Sequence, residues 1–358
     1  MAFRDKVGSP LRDLLESKGE DGAVEVIKAS LESKKLAPED FSLKEIWEAC
    51  EGGASVNEAV SSDAFPKITG ELINAKIISA YDMVPTIGDQ LTTTVTSKMK
   101  IETIAGFSDV ETPDEVPEGH PYGDSTMTEK YVTAENRKYG KLITVTEEAI
   151  FFDQTGQLLA RASRIGTKAA QYKEKLIVEG IQDLNTTVYR PSGVATAFYS
   201  TTNKNLISSN PFGESGMEAL LLQMHNMKGD AENEDNDDFI FISPENLIVL
   251  TPQELVMESW QLANSTLTPE GVENASNFFK GKYRTLTSPF ITRNSSTTWY
   301  AGDFKSDFWW LEVWPLQTMS AKPGHEDEFN KDIKSKHKVR FFGGVASIDV
   351  KHSFKNTA

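Results

Sequence analysis

Apolar side chains near the start of the chain recur at the spacing of a helix. Residues 1–60 are charged and carry three short apolar stripes, which indicates a small helical extension with a thin core or, alternatively, a loosely packed tail. A clearer repeat lies within residues 65–90, between Pro66 and Pro85, and predicts a helix. Its repeating apolar residues are Ile68, Leu72, Ile73 and Ile77.

At residue 91 the helical spacing gives way to a run of β-branched residues. Residues 91–107 are rich in Thr, Val and Ile and contain no proline, which is typical of a strand. Residues 129–146 predict a second strand, interrupted at Gly140. The stretch between them is acidic and rich in proline and glycine, so the sequence predicts a long two-stranded hairpin with a broad tip.

A long helix is predicted over residues 147–181. Its apolar residues step by four and three positions and form one narrow seam. Gly156 and Gly166 lie inside it and each cost about 1 kcal/mol there, so packing has to hold the helix together. The seam consists of Leu158, Ala162, Ile165, Ala169, Tyr172 and Leu176.

The second half of the chain mixes helices and strands. Helices are predicted over 214–228 and 251–263, and a buried strand over 239–243. The segments FFKGKYRTL, TTWYAGDF and FWWLEVWPL predict later strands, and the last stretch predicts two strands joined near Gly343 and Gly344. Because strands and helices do not alternate as βαβ units, the predicted fold class is α+β.

The predicted lengths exceed what one compact body accommodates. A globule of 358 residues has a diameter of about 50 Å. A strand over 91–107 would span about 55 Å, and a helix over 147–181 about 52 Å. We therefore expect an elongated subunit that a neighbouring copy completes; the alternative is a hairpin covered by the chain's own N-terminal helices.

Composition narrows the classes of function. Hydrophobic residues make up 39% of the chain, so it can bury a core, and the formal net charge is −16. That charge argues against sequence-specific nucleic-acid binding and against an anionic membrane surface. The lone Cys50 excludes an internal disulfide, and we expect no signal peptide, no membrane span and an intracellular chain.

The sequence contains no motif for nucleotide binding, nucleophilic catalysis or zinc binding, so we expect no catalytic residue, cofactor or metal. The five histidines lie far apart and are expected to be solvated or structural. Residues 230–238 are acidic but lack the glycine and glutamate of a calcium loop, which favours a solvated loop. Trp299, Trp309, Trp310 and Trp314 indicate core or interface packing.

Two charged segments are candidates for contact between subunits. One, here called the basic face, shares one parity on a predicted strand and consists of Lys334, Lys336, Lys338 and Arg340. The other, the acidic tip of the hairpin, contains Asp109, Glu111, Asp114, Glu115 and Glu118. We hypothesise that the basic face helps to seat the acidic tip of a neighbour; DNA contact or plain solvation are the alternatives.

The order of these segments resembles the major capsid (head) protein of tailed bacteriophages, whose fold encapsulins and herpesvirus capsid floors share. The resemblance covers about 65–358. The similar stretches are ITGELINAKIISAYDMVPTIGDQL, EVPEGHPYGDSTMTEKYVTAENRKYGKLITVTEEAIFFDQTGQL, WYAGDF and FNKDIKSKHKVRFFGGVASIDVKHSF.

This resemblance implies the phage major capsid fold. The implied segments are an N-terminal helical extension (1–60), an N-arm (61–90), an extended β-hairpin loop (91–146), the long spine helix of a peripheral domain (147–183), an axial domain (184–300), return strands of the peripheral domain (301–342) and a C-terminal strand (343–358).

It also implies a structural role without enzymatic activity. Copies would self-assemble into hexamers and pentamers of an icosahedral or prolate head, enclose double-stranded DNA without sequence-specific binding, and meet a portal and scaffolding or decoration proteins. The virion would assemble in the bacterial host cytoplasm. An encapsulin-type nanocompartment shell is the alternative, but the acidic extension and the EVPEGHPYG tip favour the phage. A soluble hydrolase or binding domain is disfavoured by the lack of motifs.

Overall fold

The computed structural model describes most of the chain in ten stretches. These are residues 11–33, 64–107, 115–121, 129–146, 156–182, 197–229, 239–240, 246–269, 276–321 and 333–358, together with Leu36, Ile46, Cys50 and Glu148. Predictions for the rest of 1–63, for 230–238 and for most of the hairpin tip therefore lie outside the described residues.

Helices and strands alternate irregularly along the described chain, which confirms the α+β class. The helices are α1 (Leu11–Glu32), α2 (Ala64–Asp82), α3 (Gly88–Leu91), α4 (Gln157–Ile181), α5 (Glu214–His225), α6 (Val256–Asn264), α7 (Pro289–Thr292) and α8 (Phe304–Asp307). The strands are β1 (Thr93–Thr96), β2 (Ile101–Phe107), β3 (Glu129–Glu135), β4 (Arg137–Thr146), β5 (Leu206–Ile207), β6 (Ile248–Thr251), β7 (Arg284–Thr287), β8 (Trp299–Gly302), β9 (Phe308–Ser320), β10 (Ile333–Ser347) and β11 (Ser353–Asn356).

The chain divides into two compact units. Unit 1 contains Met1–Pro85, Lys138–Tyr172 and Trp314–Phe342, and unit 2 contains Thr86–Arg137, Lys173–Val313 and Gly343–Ala358.

Unit 1 is built around α2, whose predicted apolar repeat is confirmed. Ile68, Leu72, Ile73 and Ile77 are all fully buried, in one cluster with residues of α1, β4, the start of α4 and Val339 of β10. A Cβ on Gly166 of α4 would lie 2.3 Å from the carbonyl oxygen of Ile77, so the helix backbones touch there. The glycine that weakens α4 in isolation is therefore what allows this close packing.

β4 is the end strand of a four-stranded sheet of order β1-β9-β10-β4. Side chains of β10 alternate: Ser335, His337, Val339 and Phe341 are buried, whereas Lys338 is exposed. This period of two is the pattern of a strand with one covered face.

Unit 2 contains a five-stranded sheet of order β5-β11-β8-β6-β7. All residues of β6 are buried, and β6 pairs in parallel with β7 and antiparallel with β8. Its core cluster joins Leu220 of α5, Leu262 of α6 and Trp299 of β8. The predicted helices over 214–228 and 251–263 are thus confirmed, with the second preceded by a short 3₁₀ turn at Gln253–Leu255.

The predicted long hairpin is wrong in its strands. The first predicted strand is divided into β1 and β2. β1 pairs in parallel with β9 and takes no part in the hairpin. Only β2 pairs with β3, over seven residues or about 23 Å. The second predicted strand breaks at Asn136, not at Gly140, and β4 belongs to another sheet. The buried Asn136 amide donates to Ser97 Oγ at 3.0 Å and to the Met99 carbonyl at 2.9 Å, which fixes both breaks.

These corrections remove the length argument for an elongated subunit. The described hairpin also packs at its base within unit 2, where Ile104 and Ala134 join a cluster with Leu311 and Ala346. The long helix is shorter as well: α4 begins at Gln157, just after Gly156 with φ +65°, and spans 25 residues or about 37 Å.

Three further strand predictions need correction. β10 runs through Gly343 and Gly344 without a turn and ends at Ser347, and β11 begins at Ser353. A Cβ on Gly343 would lie 2.6 Å from the Leu311 carbonyl oxygen, so the glycines serve close strand packing. Phe239 forms only an isolated bridge with Lys228 and is 40% exposed, and residues 241–243 lie outside the described part. In FFKGKYRTL only Arg284–Leu286 join a strand.

Candidate functional site

The basic face is present on β10 of unit 1. Lys338 is exposed, Lys336 and Arg340 are half-buried, and the residues between them face the core, as their parity predicts. The side chain of Lys334 lies outside the described residues. The structure therefore bears out the common orientation of three of the four cations.

The guanidinium group of Arg340 has two side-chain partners within unit 1. It lies 4.4 Å from the ring centroid of Trp314, and its Nε donates to Gln317 Oε1 at 3.3 Å. Cation–π stacking of this kind contributes about 0.5–1 kcal/mol at exposed sites. Among the members of the basic face whose side chains are described, Lys338 is the exposed one.

Two of the five acidic tip residues are described. Glu115 and Glu118 are both exposed, in a short stretch where His120 N–H donates to the Pro117 carbonyl at 3.1 Å. Asp109, Glu111 and Asp114 lie outside the described residues. Neither described glutamate makes an ion pair within the described part of the chain.

A groove in unit 1 forms a second cationic surface. It has a volume of about 710 Å³ and lies between β4, α4 and β10. The residues that decide its chemistry are Lys138, Tyr139, Lys141, Lys168, Tyr172 and Phe341. Sequence reasoning missed this groove because its walls come from three distant segments.

The floor of the groove is aromatic and its rim is basic. The ring centroid of Tyr139 lies 5.2 Å from those of both Tyr172 and Phe341. Among the described residues that line the groove there is no aspartate or glutamate, although the whole chain has a net charge of −16. This arrangement favours an anionic ligand that also carries apolar surface.

Unit 1 also buries a histidine without a charged partner. His337 Nδ1 lies 2.9 Å from Ser320 Oγ, and its Nε2 lies 3.1 Å from Ser335 Oγ. Burial lowers the pKa of His337 to about 4, so the ring is neutral at pH 7. A neutral imidazole has one donor and one acceptor, and one serine hydroxyl satisfies each.

Unit 2 pairs a histidine with a buried carboxylate. His352 Nδ1 lies 3.0 Å from Asp307 Oδ1, and the His352 backbone N–H also donates to this oxygen at 3.3 Å. Burial raises the pKa of Asp307 to about 6, and the hydrogen bond to Asp307 raises the pKa of His352. The pair ties the residue before β11 to the residue before β9.

The remaining candidates are the tryptophans and two further histidines. Trp299 and Trp310 are buried, as core packing predicts, and Trp314 is half-buried against Phe342. His120 and His225 are exposed.

Among the described residues, no three His, Cys, Asp or Glu side chains converge as a metal site. No described helix combines the length and apolarity needed to cross a membrane.

Comparisons with solved structures show the fold. The capsid of the native GTA particle superimposes with a TM-score of 0.51 at 10% sequence identity, covering 77% of this chain and 91% of that chain. The capsid of the cyanophage P-SCSP1u gives a TM-score of 0.51 at 10% identity, covering 76% of this chain and 88% of that chain. The phage capsid fold expected from the resemblance is thereby confirmed.

Sequence comparison identifies the family. No curated protein matches the sequence. Residues 130–353 match the family described as phage capsid protein, and these residues contain α4 and the strands from β4 to β10. The match and the fold together identify a structural shell subunit of a virion. Because the match spans more than half of its length, the chain belongs to the phage capsid protein family.

Proposed function

We propose that this chain forms the head shell of a phage by assembling into hexamers and pentamers that enclose double-stranded DNA. The observation that carries the proposal is the family match over 130–353 together with the capsid fold. The encapsulin-type alternative is not favoured, because the matched family is that of phage capsids. In the same proposal the shell assembles in the host cytoplasm and admits DNA through a portal, with scaffolding or decoration proteins assisting.

Exposed apolar side chains support assembly from many copies. Met257 and Trp260, three positions apart on α6, are 70% and 62% exposed, and Phe278 is 64% exposed. Burying such surface contributes about 25 cal/mol per Å². Contacts of this size are weak singly, but repetition around a closed shell multiplies their effect.

The segments are assigned as the resemblance implies. Residues 184–300 would form most of an axial domain, and 147–183 and 301–342 the peripheral domain. The net charge of −16 supports DNA that is enclosed without being bound in a fixed sequence register.

The basic face is proposed as a seat for the acidic tip of a neighbouring copy. The exposed side chain of Lys338 supports an intersubunit contact at the basic face. Exposed ion pairs contribute only about 0–1 kcal/mol each, so their role would be to set register and the rate of encounter.

Electron microscopy of the purified full-length chain, combined with analytical ultracentrifugation, tests this function. We expect closed shells or their hexameric and pentameric parts, and nuclease-protected DNA inside particles from infected cells. Replacing Lys336 and Lys338 by Glu should slow assembly, and more so at low salt. A chain that remains monomeric at every concentration would contradict self-assembly, and a protein cargo in place of DNA would favour an encapsulin.

A further inference from the structure

A stretch of unit 2 from Ser276 to Gly302 contains no aspartate or glutamate, although the chain has 53 acidic residues against 37 lysines and arginines. The stretch includes a turn, β7 and α7, and β7 is an end strand of the order β5-β11-β8-β6-β7. Its four cations are all exposed and are here called the cationic edge: Lys280, Lys282, Arg284 and Arg293. An acidic chain therefore presents a locally positive surface.

The two lysines of the turn contact neutral groups. Lys280 Nζ donates to Thr266 Oγ1 at 2.9 Å, and Lys282 Nζ lies 5.7 Å from the ring centroid of Phe278. A hydroxyl or an aromatic ring holds an ammonium group in place without neutralising its charge. Neither lysine makes an ion pair within the described part of the chain.

The two arginines continue the cationic edge along the chain. Arg284 begins β7, and its Nη2 donates to the amide oxygen of Gln90 at 2.7 Å, which is again a neutral partner. Arg293 follows α7, and neither arginine makes an ion pair with a described residue. Because β7 spans four residues or about 13 Å, the cations precede and follow a strand rather than converge on one pocket.

The carboxylates of neighbouring elements do not neutralise the cationic edge. Glu254 and Glu258, in the 3₁₀ turn and in α6, are exposed and form no ion pair with a described cation. Asp89 pairs with a lysine of α4 at 3.1 Å, and Glu174 accepts a hydrogen bond from Ser288 Oγ at 3.3 Å. The four cations therefore outnumber the unpaired carboxylates on these elements.

Exposed cations spread along an edge fit a polyanion with regularly repeated charge. Each strand of duplex DNA carries a phosphate about every 3.4 Å along the helix axis, and proteins bind these phosphates through lysine, arginine and hydroxyl side chains. Ser296 and Thr297, which follow Arg293, are exposed and add hydroxyl groups. A phosphate backbone meets the cations in any register, whereas an acidic peptide needs its carboxylates at matching positions.

We propose that the cationic edge contacts the phosphate backbone of the double-stranded DNA that the shell encloses, without reading its sequence. This inference rests on the proposed function, because the shell supplies the DNA. Each copy contributes four cations, and repetition over many copies holds the outermost DNA against the shell. The net charge of −16 disfavours DNA contact over the rest of the subunit, so the contact stays local.

A salt series on the unassembled full-length chain tests the contact. Binding of a fluorescently labelled DNA duplex is followed by anisotropy. Four phosphate contacts predict that the logarithm of the affinity falls with the logarithm of the salt concentration with a slope of about −3.6. The affinity should therefore drop about 150-fold between about 50 mM and about 200 mM salt. Two duplexes of unrelated sequence should bind equally, and a clear preference for one of them would contradict a contact confined to the backbone.

Replacing the lysines of the turn tests which residues carry the contact. Lys280→Gln with Lys282→Gln removes two phosphate contacts and should reduce the slope to about −1.8. The matched control, Lys18→Gln with Lys28→Gln on α1, removes the same charge from two other exposed side chains and should keep the original slope. An edge variant that keeps the original slope, or a control that loses as much, would overturn the assignment.

Lysine acetylation of DNA-filled and emptied particles tests the contact within the shell. Lys280 and Lys282 should be labelled less in filled particles than in emptied ones, whereas Lys18 and Lys28 should be labelled equally in both. Equal labelling of the turn lysines would overturn this inference and leave the shell function standing. A chain that forms no particles would instead contradict the shell function, whichever slope it gives.

Polyglutamate tests an acidic protein as the alternative partner of the cationic edge. Compared at equal concentrations of charge, unlabelled duplex should displace the labelled duplex better than polyglutamate does. Stronger displacement by polyglutamate, lost in the variant with Lys280→Gln and Lys282→Gln, would assign the edge to an acidic protein and overturn the proposal.

Discussion

Each unit holds a histidine near the C-terminus, fully buried in unit 1 and half-buried in unit 2, and the two rings have opposite electrostatic environments. In unit 1, His337 lies between the hydroxyls of Ser320 and Ser335, and burial lowers its pKa to about 4. In unit 2, His352 lies 3.0 Å from a carboxylate oxygen of the fully buried Asp307, and this hydrogen bond raises its pKa. The comparison shows that the charge of the partner, rather than burial alone, decides which form of a histidine the fold stabilises.

The two environments make opposite contributions to stability as the pH changes. Below pH 6.5 the unfolded chain binds a proton at His337, whereas the folded chain binds it only below about pH 4. Stability therefore decreases as the pH is lowered from 6.5 to 4. In unit 2 the pKa values of Asp307 and His352 are both raised. Their contribution is complete below about pH 3.8 and is lost as the pH rises through 6 and beyond 6.5.

Removing the partner of the buried carboxylate should have the largest effect. His352→Leu leaves the buried Asp307 carboxyl without its hydrogen-bond partner, and removing one member of such a pair costs about 3–5 kcal/mol. The loss should be greater at pH 8 than at pH 5, because Asp307, with a pKa of about 6, is mostly protonated at pH 5. Denaturant unfolding at the two pH values measures it.

The matched control for that variant is His337→Leu in unit 1. It leaves two hydroxyls without their imidazole but no charge, so the loss at pH 8 should be smaller than for His352→Leu. Above pH 6.5 this loss should not change with pH, because His337 is then neutral in both the folded and the unfolded chain. Equal losses for the two variants at pH 8 would show that the charge of Asp307 has no special role.

Acidification should produce the next largest effect. Shifting the pKa of His337 from 6.5 to about 4 corresponds to about 3 kcal/mol, lost between pH 6.5 and pH 4. Hydrogen exchange followed by mass spectrometry resolves the units, and peptides from the first half of β10 should lose protection before peptides from β6. His337→Gln should abolish this dependence; a variant that keeps the wild-type pH profile would assign the loss to other groups.

The smallest effect is expected from single serines of unit 1. Ser335→Ala removes one hydrogen bond of His337 and should cost about 1 kcal/mol. The other ring nitrogen keeps its contact with Ser320 at 2.9 Å, so the neutral form and the low pKa should persist. A thermal unfolding series over pH checks both points, and a raised pKa in this variant would mean that the serines, rather than burial, keep the ring neutral.

The parts of the fold that the sequence could predict are those set by local periodicity. The repeat in α2 and the alternation along β10 both follow from side-chain spacing, and each places its residues on the buried or exposed side as predicted. The phage capsid resemblance depended on the order of such segments, and the family match over 130–353 confirms it.

The parts that could not be predicted depend on contacts between distant residues. Asn136 ends a strand because its amide reaches Ser97, and nothing in its neighbourhood along the chain signals that break. Glycine pairs usually indicate turns, but Gly343 faces the Leu311 carbonyl inside a continuous strand. The pairing of Asp307 with His352 joins residues 45 positions apart that carry no motif.

The contact between α2 and α4 has a consequence for how the chain tolerates mutation. Because Gly166 lies against the main chain of Ile77, the distance between the two helices at that point is independent of side-chain size elsewhere. Residues on the outer faces of the two helices can therefore differ between homologues without changing the contact between α2 and α4. Position 166 itself admits no gradual change, since even a methyl group would push the helices apart, and a saturation library should show it as an isolated intolerant site within a permissive helix surface.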